Sequence, residues 1–81
     1  MNATDIVGKY KAKALALVES YHESTISNRL ADDESSEMYW LGRWEEARNF
    51  ARLSGATQDE VNDATMRGTE AALDRAYPKV K

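Results

Sequence analysis

The stretch Leu53-Ser54-Gly55-Ala56-Thr57-Gln58-Asp59-Glu60 stops one helix and starts another with almost nothing between them. Gly55 is free to take the left-handed conformation that closes a helix, because it has no Cβ to clash. Thr57 is placed to cap the following helix. Glu60, three residues on, can reach back to complete a capping box. Two helices therefore meet at a tight corner, and any fold must be built around it.

Three helical segments and no strand follow from the rest of the pattern, since no run alternates with period two and β-branched enrichment. The first segment spans about residues 5–30, with Thr4 as its expected cap. On a helical wheel Ile6, Val7, Tyr10, Ala14, Leu17, Val18 and Tyr21 share one wide face. Ala12, Leu15, Ile26 and Leu30 form a second apolar stripe, with Lys9, Lys13, Ser20 and Ser27 between the two. A helix apolar on two sides is either central in a bundle or shared between chains. Residues 31–36 break the periodicity and suit a short loop whose acids favour the positive end of the next helix.

The second segment spans about residues 37–54. Tyr39, Trp40, Trp44, Ala47, Phe50 and Ala51 fall on one face, with Glu45, Arg48, Asn49 and Arg52 opposite. The third spans about residues 58–77, and Pro78, the only proline, stands where it can end the helix. Ala64, Gly68, Ala72 and Ala76 recur every fourth residue there. Such a lean stripe lets another helix approach closely, and the bulky face of the second segment is its expected complement. The expected fold is all-α: a small three-helix bundle with the long first helix packed on a tight helical hairpin. Its second apolar stripe makes self-association through Leu15, Ile26 and Leu30 the expectation, as a homodimer.

Eighty-one residues make one domain. With no cysteine, a disulfide and a thiolate metal site are both excluded. No window approaches the roughly 20 apolar residues of a membrane span. Residues 1–5 lack a basic-then-apolar secretion pattern, so a cytoplasmic location is expected. The net charge of −3 is concentrated: residues 31–46 carry Asp32, Asp33, Glu34, Glu37, Glu45 and Glu46 against Arg43 alone. That block repels nucleic acid and attracts basic protein surface.

Chemistry has few footholds. Glu19 and His22 form one Glu-x-x-His pair, of which di-iron bundles use two copies plus two further glutamates. Any nucleophile–base arrangement must use His22 with Ser20 or Ser24, which point away from it on a helix. The acid pairs Asp32/Asp33 and Glu45/Glu46 are placed as solvated, ionised groups, unsuited to acid–base catalysis. No glycine-rich phosphate loop is present. Neither an enzyme nor a cofactor is expected.

The expected function is a non-enzymatic protein-binding module, a small acidic regulator or inhibitor acting on a larger partner protein. Tyr39, Trp40 and Arg43 are the candidate anchor, because aromatic residues and arginine dominate interface hot spots. Asp32, Asp33 and Glu34 are the candidate charged rim. The alternative is a dimeric DNA-binding regulator using residues 51–66. There Ala51, Gly55 and Val61 resemble the small residue, turn glycine and buried apolar residue of the helix-turn-helix motif. Gln58 and Asn62 would then face bases, but Asp59, Glu60 and Asp63 would face phosphates, which opposes that reading.

Overall fold

The computed structural model describes the backbone of residues 3–78 and the side chains of residues 8–78. The described residues form three helices, α1 (Ala3–Leu30), α2 (Glu34–Leu53) and α3 (Gln58–Ala76), with no strand among them. α1 starts ahead of Thr4, its expected cap, and the side chains of Ile6 and Val7 lie outside the described residues.

The corner forms as the residues dictate. Gly55 has φ 96°. Its N–H donates to the Arg52 carbonyl at 3.1 Å, and the Ala56 N–H donates to the Ala51 carbonyl at 2.9 Å. These are the paired bonds of a Schellman stop. The capping box is complete. The Glu60 N–H donates to Thr57 Oγ1 at 3.1 Å, and the Thr57 N–H donates to Glu60 Oε1 at 3.0 Å. The other turn is as tight. Asp32 takes φ 59°, which a short polar side chain tolerates. Asp33 then caps α2 by accepting from the Ser36 N–H at 3.1 Å, so α2 opens at Glu34 rather than Glu37.

α1 is the central element. Tyr10 meets Phe50, Tyr21 meets Trp40 and Arg29 pairs with Glu37, so α2 runs back along α1. Lys11 pairs with Glu60, Glu19 with Arg67 and Glu23 with Arg75, so α3 runs alongside α1 in the same direction. α2 and α3 barely meet beyond the corner, and the bond from Trp44 Nε1 to Thr65 Oγ1 at 3.1 Å is their bridge.

The small-residue stripe consequently has a different partner from the one expected. It lies against α1, not under the rings of α2. A Cβ on Gly68 would stand 2.5 Å from the Glu19 carbonyl oxygen and 3.0 Å from the Glu23 nitrogen. The reason is that α1 presents apolar residues on two sides, one for each neighbour. Ala14, Val18, Ala47, Ala51, Ala56, Val61 and Ala64 form the interior, with Leu15, Leu17, Tyr21 and Trp44 packed against it. The largest fully buried side chains are only Val18, Val61 and Thr25, and the Thr25 hydroxyl donates to the Tyr21 carbonyl at 2.9 Å. The result is a flat, open molecule. Its radius of gyration is 14.0 Å, against about 12 Å for a compact domain of this length.

Candidate functional site

The lean interior leaves large apolar side chains outside. Tyr39 is 58% exposed and Leu53 87%, and Tyr10, Met38 and Phe50 are exposed as well. Leu30, Met66 and Leu73 on the other two helices, and Tyr77 at the end of α3, are also exposed, and α2 carries the largest share. At its N-terminal end an aromatic ladder runs outward from α1. The Tyr21 and Trp40 rings lie 5.7 Å apart, and Tyr39 stands edge-on to Trp40 at 5.0 Å. The Arg43 guanidinium lies 5.5 Å from the Tyr21 ring centre, within the range of a cation–π contact. At the other end Phe50 lies 6.3 Å from Tyr10. Between the two ends a groove of about 210 Å³ is lined by Leu17, Tyr21, Arg43, Glu46, Ala47 and Phe50. It is shallow and open, below the roughly 300–1,000 Å³ of pockets that enclose small molecules.

The expected anchor residues therefore share one flank in part. Tyr39 and Arg43 are exposed on it, and Trp40 is the half-buried rung beneath Tyr39. Trp44 packs inward, its indole N–H satisfied by Thr65. Asp32, Asp33 and Glu34 are all exposed at the α1–α2 turn, with Asp33 occupied as a cap. Glu46, Phe50, Leu17 and Tyr10 complete the flank and are not among the candidate binding residues read from sequence. A signal for two of them exists: Tyr39, Arg43, Glu46 and Phe50 are spaced four, three and four residues apart. Arg48, assigned to the opposite face, lies 4.7 Å from the Trp44 ring centre.

The residues expected to join two chains are placed differently. Ile26 is 8% exposed and Leu15 packs against the interior, so both are covered within the chain. Leu30 alone remains exposed, beside a second shallow groove with Ser27, Ala72, Arg75 and Ala76. The second apolar stripe of α1 is covered only in its middle, at Leu15 and Ile26, while Ala12 and Leu30 stay exposed.

Glu19 and His22 do not converge on a common point. The Glu19 carboxylate accepts from Arg67 Nε at 2.7 Å, and the His22 ring lies 5.1 Å from Trp44 with Nδ1 buried and unpartnered. Burial first, and then the Arg29 charge, hold the His22 pKa below its ordinary 6.5. Among the described residues no three potential ligands cluster, and no helix is long and apolar enough to cross a membrane. At the start of α3 the Gln58 and Asn62 side chains are bonded to each other at 2.9 Å, and Glu60 is held by Thr57 and Lys11. Scans against protein-family models, curated proteins and solved structures each returned no match.

Proposed function

We propose that the chain is a non-enzymatic protein-binding module, a small acidic regulator or inhibitor that acts by covering protein surface. The flank of α2 is its docking surface. The observation that carries this reading is the inverted use of side chains. Alanines, two valines and Ile26 are the buried apolar residues, with Leu15, Leu17, Tyr21 and Trp44 only partly covered, while Tyr39, Phe50, Leu53 and Met38 stand outside on one helix. Contiguous exposed apolar area on a small chain marks an interaction site. Tyrosine and arginine, both present here, are the residue types that dominate hot spots. The adjoining acids at the α1–α2 turn favour a basic rim on whatever docks.

Photocrosslinking tests the reading. A benzoylphenylalanine at position 39 should give protein adducts in the cells that make the chain, whereas the same group at exposed position 63 on α3 should not. No protein adduct from position 39, of any mass, removes the assignment.

A further inference from the structure

The flank of α2 is complementary to itself, and we infer that its occupant is a second copy of the chain, packed with α2 antiparallel to α2. The inference rests on the reading of this flank as a protein-docking surface and names the partner. Tyr39, Arg43, Glu46 and Phe50 lie within about 60° of arc on a 100°-per-residue helix. Their order is aromatic, base, acid, aromatic, symmetric about the midpoint between Trp44 and Glu45. A two-fold axis through that midpoint sets Arg43 of each copy opposite Glu46 of the other. It also sets Tyr39 of each opposite Phe50 of the other. Among the described residues neither Arg43 nor Glu46 is in an ion pair, and both are exposed.

The ends match as well as the middle. Each Tyr39, carried on Trp40, meets a Phe50 already in contact with Tyr10, so the aromatic ladder continues from one copy into the next. Antiparallel packing also brings the turn bearing Asp32, Asp33 and Glu34 toward the end of the other copy where Lys9 and Lys13 are exposed. An isologous contact of this kind closes on itself and stops at two copies.

Helix pairing on the flank covers the half-exposed aromatic residues, and the chain's own fold stays as it is.

A symmetric charge reversal tests the pairing, read by sedimentation equilibrium at low salt with circular dichroism to verify helicity. The wild type should show twice the 9.1 kDa mass of the chain. Arg43→Glu or Glu46→Arg alone places like charges across the axis twice, and should weaken the dimer at least about tenfold. The double variant Arg43→Glu/Glu46→Arg should recover most of that loss. Tyr39→Ser, another exposed position, should weaken it too. A wild type that stays monomeric overturns the inference, as does a dimer indifferent to both single reversals or a double variant no better than the singles. A monomer that still crosslinks from position 39 to a different protein overturns this inference and leaves the docking surface standing.

Discussion

Two residues on α1 and α3 show how closely these helices approach. Gly68 is required by its neighbours: any Cβ there meets the α1 backbone, so α1 and α3 would have to move apart. Gly8 and Gly42 meet nothing. One substitution therefore has opposite signs at different positions. Gly68→Ala should lower stability by ~2 kcal/mol or more despite its better helix propensity, a fall of roughly 10 °C in thermal midpoint. Gly42→Ala should raise stability by about 0.5–1 kcal/mol, and urea unfolding of both variants checks the contrast. His22, opposite Gly68, adds a pH dependence. Around it stand Glu19 and Glu23 on α1, paired with Arg67 and Arg75 of α3, then Arg29, and from α2 Arg48 over Trp44. Because the folded pKa is lowered, the unfolded chain takes up the proton first as pH falls. Stability should be full above about pH 6.5 and decline below it, toward the lower folded pKa. Replacing His22 by leucine should flatten the decline of the melting temperature from about pH 6.5 downward. A slope that survives the replacement would assign the effect to other groups.

At the scale of elements the helix ends at the α2–α3 corner are decided by local chemistry and are legible from the residues. Ser54, Gly55 and Ala56 stop α2, and Thr57 with Glu60 starts α3, because each step needs only neighbours in the chain. Thr57→Ala should cost about 1 kcal/mol, read as a lowered denaturation midpoint with the helical spectrum preserved. The start of α2 was less legible. Ser35, Ser36, Asp32 and Asp33 are all acceptable caps, and which one serves depends on the left-handed turn at Asp32. Helix partners were less legible still. The Ala64–Gly68–Ala72 stripe shows that some helix lies close by, but close approach to α1 and to α2 look alike from the stripe alone.

For the whole molecule, the inversion of small residues inside and large ones outside sets what substitutions do. Val18→Ala, in the fully buried seam of α1, should destabilise by about 1–2 kcal/mol. Leu53→Ala, a larger truncation at an 87% exposed position, should change chain stability by less than about 0.5 kcal/mol. Equilibrium urea unfolding at low protein concentration distinguishes the two. The same distribution explains which parts of the candidate site were visible early. Tyr39, Trp40 and Arg43 announce themselves by residue type, whereas Phe50 reads as interior on a wheel beside Ala47 and Ala51. The fold leaves its ring 37% exposed and 6.3 Å from Tyr10. Ile26 differs the other way: its stripe reads as open on the wheel, whereas in the fold Ile26 itself is buried.

What the residues determine alone is the set of three helices and their two tight turns, since caps, a positive-φ glycine and helical periodicity act over a few positions. What the tertiary structure decides is that α1 runs between the other two, so that both of its apolar sides meet a neighbour along part of their length and the flank of α2 is left open. That outcome depends on which helices stack over the glycine notch at Gly68, a contact between residues almost fifty positions apart that no local pattern encodes.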